Sequence, residues 1–429
     1  MGRLDRMVGL SSLVGRATTS WVTGRVRHAF GGPEPDLGAS AKDVARTLSQ
    51  LKGVALKAGQ QLAQLAVHLD LPDDVRDALA TLHAQAEPAP FPVIRRVVEA
   101  ELGRPLSEVF AEWSEVPLGA ASLAQAHAAR LHDGREVVFK VLHEGVAEAV
   151  ESDLLALRTL LRTGRVLTTR SAAELDDVVS EIEERLREEL DYLQEAANVT
   201  AFHERFGRDP RFVVPAYVPE LSGERVLVLD RVPGLPIDAF LATADRATRQ
   251  RAGENLGEWF FTGTFHHHLL HADPHPGNYL FLPDGRVGVV DFGCVKRFEP
   301  SFLARYASTV LAALDGDRDG ALEGCHDLGV WDGTDAAAGE AIWGFCEALV
   351  DPWRRGPTTI GGDEVDLVVR LRPAAERLWG FRSVRGARDM VFLHRALAGM
   401  YALARRLEVR RDYGELLRRH LGVAVRSAA

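Results

Sequence analysis

The sequence predicts a two-lobed α+β architecture preceded by an all-helical extension, and three observations carry that prediction. Two short β-rich runs, Gln125 to Leu131 and Arg135 to Leu142, are joined by the hairpin dipeptide Asp133-Gly134. A long helical pattern follows, in which Leu175, Val178, Val179, Ile182, Leu186, Leu190, Leu193 and Ala197 recur every three or four residues as one buried stripe. Beyond the Pro/Gly connector Val232 to Pro236 the chain is mostly helical, with one further hairpin, Tyr279 to Val290, turned by Asp284-Gly285. A small mixed sheet, a connector and a larger helical region in that order place a cleft at the connector.

The remaining elements follow from punctuation. Gly31 to Gly38 reads as a linker. Helical patterns run from Ala41 to Leu69, Pro72 to Ala86 and Phe91 to Leu102, broken by Pro72, Pro88, Pro90 and Pro92. The first sheet is expected to begin after Pro117, with further strands at Phe212 to Tyr217 and Arg225 to Asp230. The expected divisions are residues 1–38, a basic amphipathic segment and linker; 39–112, the helical extension; 113–233, the smaller lobe; and 234–429, the larger helical lobe.

The chain has 429 residues, 46% hydrophobic and 26% charged, which excludes a disordered or collagen-like polymer. A net charge of −10 gives no global basic field, so nucleic acid is not expected as a partner. Cys294, Cys325 and Cys346 are odd in number and scattered, which fits a reducing, cytoplasmic setting. No run reaches the roughly 18 to 20 apolar residues of a spanning helix; Val391 to Leu407 is interrupted by His394, Arg395, Arg405 and Arg406. The first 30 residues carry Arg3, Arg6, Arg16, Arg25 and Arg27 against Asp5, with Leu10, Leu13, Val14, Ala17 and Trp21 at helical spacing. That combination can place a helix on an anionic membrane surface; the plainer reading is a helix packed on its own domain or a partly disordered tail.

The chemistry concentrates in His271-Ala-Asp273-Pro-His-Pro-Gly-Asn278 and in Asp291-Phe-Gly293. Phosphoryl transfer from a nucleotide needs a carboxylate near the acceptor, oxygen ligands for magnesium, and a lysine on the phosphates. Asp273 supplies the first, Asn278 and Asp291 the second, with offsets of five and thirteen residues that are kinase-like. Lys140, ending the apolar run Val137-Val-Phe, supplies the third, and a buried ammonium there needs an anionic partner. Glu183 is expected to be that partner, with Glu181, Glu184, Glu188 and Glu189 as alternatives. Gly119, Ala120, Ala121 and Ser122 form a small-residue loop that lets the backbone approach a ligand. Asp230 and Val232, at the connector, complete the expected nucleotide set. Consecutive histidines His266, His267 and His268 point in different directions on a helix and lack zinc-type spacing, which leaves His271 as a loop-orienting hydrogen bonder.

Taken in order, Lys57-Ala-Gly59-Gln60, Gly119 to Ser122, Lys140, Glu189-Leu-Asp191 with Tyr192 and Glu195, His271 to Asn278, and Asp291 to Gly293 resemble the UbiB-like atypical kinases, the AarF or ADCK family. The resemblance spans Leu51 to Leu407. It implies a bilobal protein-kinase-like fold whose N-terminal extension covers the active site. It also implies an ATP and Mg2+ enzyme acting in isoprenoid-quinone or lipid-linked metabolism rather than on peptides. In that family the segment corresponding to Lys57, Gly59 and Gln60 packs where a peptide would bind, and Glu189 and Asp191 help hold it. On one straight helix those two acids lie about 200° apart and cannot face the same ligand. The chain departs from the family pattern at Gly119, where alanine is frequent, and in lacking the hydrophobic C-terminal spans of many bacterial members. It also has no Ala-Pro-Glu element before the helix expected at Ser301 to Leu314, which leaves little room for peptide docking. Two other classes compete. A small-molecule phosphotransferase of aminoglycoside-kinase type leaves Lys57 to Gln60 unexplained, and a non-catalytic scaffold leaves the full set Lys140, Asp273, Asn278 and Asp291 unexplained.

Overall fold

The computed structural model describes residues 88–121, 123–146, 180, 183, 186–361, 366–378, 380–381, 383–384 and 388–428. The expected basic segment, the first two helices of the extension, Lys57, Gly59, Gln60 and Ser122 lie outside the described residues, as do Leu175, Val178, Val179 and Ile182. The chain divides into two compact units. One runs to Ala197 and takes in Tyr217–Arg231; the other is Asn198–Ala216 with Val232–Ala429.

In the first unit, helix α1 (Phe91–Leu102) starts with a proline in its first turn and stops at Gly103, whose φ of 65° is the left-handed cap that glycine adopts freely. A four-residue helix, α2 (Leu106–Val109), leads into a five-stranded antiparallel sheet of β1 (Phe110–Trp113), β2 (Gly119–Ala120), β3 (Ala124–Leu131), β4 (Glu136–Leu142) and β6 (Val226–Asp230). Its order is β1-β3-β4-β6, with β2 beside β3. The sheet thus begins at Phe110, ahead of Pro117, because Phe110 pairs with Leu131 and stacks on Phe139 at 5.0 Å. The expected hairpin forms: Gly134 takes φ 90° and Asp133 Oδ1 accepts from Arg135 N at 2.9 Å. Strict alternation turns Val137, Phe139 and Val141 onto Ile94, Val97 and Val98 of α1, so α1 belongs to the core of this sheet.

The second unit is mainly helical. It takes in helix α3 (Tyr192–Phe206) from Asn198 on, and the two-residue strand β5 (Phe212–Val213) follows. The strand expected to reach Tyr217 is therefore short; Tyr217 instead makes an isolated bridge to Leu229 in the first unit. Helix α4 (Ile237–Thr243) precedes α5 (Arg246–His267), which is capped by Asp245 Oδ1 on Thr248 N. Phe202, Phe206, Phe212 and Trp259 stack around α5 with ring centroids 4.5 to 6.0 Å apart. Strand β7 (Leu269–His271) pairs with β10 (Val295–Arg297), while β8 (Tyr279–Phe281) and β9 (Val287–Val289) form the second expected hairpin, with Gly285 at φ 87°. Helices α6 (Pro300–Asp315), α7 (Arg318–Asp327), α8 (Ala336–Val350), α9 (Leu367–Leu378), α10 (Arg388–Leu407) and α11 (Tyr413–Ala428) complete the unit. Among the described residues no helix is long and apolar enough to cross a membrane.

Candidate active site

The first unit buries an ion pair. Lys140 leaves the sheet on the face opposite Phe139, and its Nζ donates to Glu195 Oε1 at 2.5 Å, the two side chains being 15% and 6% exposed. Glu183, the expected partner, is ion-paired with Arg187 at 2.7 Å. The reason is a break in the helix at Asp191. Its Oδ1 accepts from Gln194 N at 2.8 Å and caps α3, which restarts the register. Glu195, Ala196 and Val199 then turn inward and Leu193 is 54% exposed, so the single stripe running to Leu193 and Ala197 does not exist. The Asp191-x-x-Gln194 capping pattern is the sequence signal for this break. Because of it, Glu189 and Asp191 do not sit on one straight helix.

The Gly119 to Ser122 loop is partly strand. Gly119 pairs with Ala126, which pairs on its other side with Lys140, so the small-residue segment and the lysine flank one residue of β3. Gly119 has open space around it and an ordinary φ, so neither packing nor backbone demands a glycine there. The turn closes through Ala121 N to Ala124 O at 2.8 Å, and His143 Nε2 donates to Ala121 O at 3.1 Å. Burial holds the His143 imidazole below its ordinary range, which favours the neutral ring. His143 was not among the expected residues; its one sequence signal is its position just past the end of the lysine strand. Asp230 ends β6 opposite Val137 with Oδ1 4.0 Å from Arg135, and Val232, in the second unit, packs on Gly288.

The second unit holds the Asp273, Asn278 and Asp291 side chains. Asn278 Nδ2 donates to Asp273 Oδ2 at 2.7 Å and to Asp273 O at 3.2 Å. Val290 N donates to Asn278 O at 3.1 Å, so the β8–β9 hairpin brings Asn278 and Asp291 to the same open end. Asp291 Oδ1 accepts from Gly293 N at 3.0 Å. His271, 3% exposed, donates through Nε2 to Asp291 O and accepts at Nδ1 from Tyr279 O–H at 3.3 Å. Burial, with the charge of Asp273 adding to it, pushes the Tyr279 hydroxyl well above its usual range, so it stays a donor. Phe292 is fully buried 5.3 Å from Phe202, and Asn198 Nδ2 donates to its carbonyl at 3.0 Å. The orienting role expected of His271 therefore has a defined geometry, and Asn198 and Tyr279 add supports that local sequence does not reveal.

With its amide nitrogen engaged by Asp273, Asn278 offers Oδ1. Together with the Asp291 carboxylate this is a hard-oxygen donor set of the kind magnesium prefers. Among the described residues no three His, Cys, Asp or Glu side chains gather as metal ligands, and His266 is bonded to His420 at 3.0 Å.

A lysine on a small antiparallel sheet paired with a glutamate on a helix, and an Asp…Asn…Asp-Phe-Gly set in a helical unit, define the protein-kinase-like class of fold. Residues 81–324 match the ABC1 atypical kinase-like domain. The chain is 31% identical to the atypical kinase COQ8B, mitochondrial, of Rattus norvegicus, over 95% of this chain and 76% of that protein. It is 34% identical to the probable protein kinase UbiB of Marinobacter nauticus, over 65% of this chain and 52% of that protein, so it spans only about half of the latter's length. The solved complex of Rv3197 with erythromycin, from Mycobacterium tuberculosis, superposes with a TM-score of 0.65 at 27% identity, covering 88% of this chain and 94% of that one. The chain belongs to the ABC1 atypical kinase family and has its protein-kinase-like fold. That family implies a kinase-like or ATPase role, and nucleotide and magnesium use, in general terms.

Proposed function

We propose that this protein is an ATP-dependent atypical kinase or ATPase supporting isoprenoid-quinone or lipid-linked metabolism, with Mg2+ as the nucleotide's counterion. The observation that carries the reading is the Asp273–Asn278–Asp291 arrangement, in which one carboxylate orients an amide and a second is anchored at its backbone by His271. Asn278 and Asp291 would hold magnesium, which supplies charge neutralisation on the phosphates. Asp273 would accept the proton of an attacking hydroxyl or water, and Lys140, fixed by Glu195, would bind phosphate oxygens. Gly119, Ala120, Ala121 and Ser122 would cover those phosphates, while Asp230 and Val232 would lie along the base. Lys57, Gly59, Gln60, Glu189 and Asp191 are proposed to regulate access. The divisions expected at residues 38, 112 and 233 remain part of this proposal.

The erythromycin held by Rv3197 favours a second reading, in which a bulky small molecule such as a macrolide is the ligand. One experiment covers both. Calorimetric titration of the full chain with ATP, with and without Mg2+, is repeated with Asp291→Asn, alongside ATP hydrolysis in the presence of anionic vesicles, quinone precursors or erythromycin. Magnesium-dependent binding lost in a folded Asp291→Asn supports the proposal. Unchanged affinity in that variant overturns it.

A further inference from the structure

We infer that Arg395, on α10, is a positioning residue for the Asp273–Asn278 loop, so that the C-terminal helices set the geometry of that loop; this rests on the nucleotide reading above. Kinase catalytic loops carry an arginine between the histidine and the aspartate. Here that place is taken by Ala272, whose side chain is fully buried. A guanidinium arrives instead from more than a hundred residues away: Arg395 Nη2 donates to Ala272 O at 3.0 Å and lies 3.8 Å from Cys294 Sγ. Ala272 N donates to Cys294 O at 2.9 Å, so one planar cation touches both the residue before Asp273 and the residue that follows Asp291-Phe-Gly.

A second contact from the same helix holds the other side of Asp273. Gly399 lies one turn beyond Arg395, and a Cβ there would sit 2.2 Å from Pro274 Cγ. Only a bare backbone admits the rigid proline ring, so α10 meets the loop immediately before and immediately after Asp273. The arginine is itself braced. Its Cζ lies 5.5 Å from the Phe392 ring, which Lys296 approaches at 5.3 Å while bonding Asp389 at 3.0 Å. Asp389, Phe392, Arg395 and Gly399 recur every three or four residues, which is one face of the helix. Arg395 has no described contact with Asp273, Asn278 or Asp291 side chains. Its effect would come from where it holds the backbone, and misplacing a reacting group by about 1 Å costs on the order of 100-fold in rate.

The test compares the full-length wild type with Arg395→Met, Arg395→Lys and Gly399→Ala. Magnesium-ATP hydrolysis is measured together with hydrogen–deuterium exchange of the segment 269–280 and the thermal midpoint. The expected result for Arg395→Met is a kcat lower by roughly 10- to 100-fold with KM for nucleotide within about threefold. Exchange of the 269–280 segment should be about tenfold faster while the β3–β4 hairpin is unchanged. Arg395→Lys should recover only part of the rate, and Gly399→Ala should reproduce the loss by pushing the loop from its other side. Folded variants of an active wild type that keep both kcat and the exchange rate overturn the inference alone. A wild type that neither binds nor hydrolyses magnesium-ATP overturns the nucleotide reading and the role assigned to Arg395 with it, whatever the exchange data show.

Discussion

Replacing Glu195 by leucine removes the carboxylate that Lys140 bonds at 2.5 Å. Lys140 Nζ and Glu195 Oε1 are 2.5 Å apart with 15% and 6% of their side chains exposed. At an effective dielectric constant near 20, Coulomb attraction at that distance is about 6 to 7 kcal/mol. Desolvating two ions offsets several kcal/mol for each, which leaves the intact pair no better than a well-packed apolar one. Removing one partner is different, because it leaves the other buried charge without its close counter-ion, at a cost of up to roughly 3 to 5 kcal/mol. Glu195→Leu should therefore lower the free energy of unfolding by about 3 kcal/mol, and Lys140→Met should cost a similar amount. The double variant Lys140→Met/Glu195→Leu should return to within about 1 kcal/mol of wild type. Urea unfolding of the four proteins measures the coupling, and calorimetry with magnesium-ATP measures binding. The double variant should be stable yet bind nucleotide poorly, since its ammonium is gone. Additive losses, with coupling below about 1 kcal/mol, would refute the idea that the two residues act as a buried unit. Wild-type affinity in the double variant would remove Lys140 from the phosphates.

Asp191→Ala deletes the cap of α3 and should cost about 1 kcal/mol, whereas Asp191→Ser should cost far less; denaturant midpoints check this. Acid should weaken the second unit through Glu258 and His266. Burial alone would raise the Glu258 carboxyl, but bonds from His420 and Arg411 outweigh it and hold it well below the usual range. Burial, with the charge of His420, lowers His266 to about 4. The Glu258 contribution is complete above the ordinary carboxylate pKa and is lost below it. The His266 contribution is complete above about 6.5 and fades toward pH 4, so urea midpoints should fall across that window and His266→Leu should flatten the slope. Deleting residues 1–30 should abolish co-sedimentation with anionic vesicles, and equal recovery in the supernatant before and after deletion would discard the membrane reading.

Much of the candidate site was legible because its residues lie close together in the chain. Offsets of five and thirteen residues, with a hairpin between, put Asp273 against Asn278 and leave Asn278 and Asp291 at one open end of that hairpin. Alternation in Val137 to Val141 likewise decides that Lys140 leaves the sheet on the face away from Phe139. The bond from Lys140 to Glu195 was not legible from a hydrophobic period, because a side-chain cap at Asp191 resets the helix and turns Glu195 inward. The hairpins, the lysine face and the Asp273–Asn278 contact were thus set by local sequence, through turn dihedrals and the two-residue pleat. Tertiary packing alone decided Glu195, Asn198 and Arg395, because each meets its partner across 55 to 123 residues of chain, where no periodicity reaches and only the folded backbone fixes the distance.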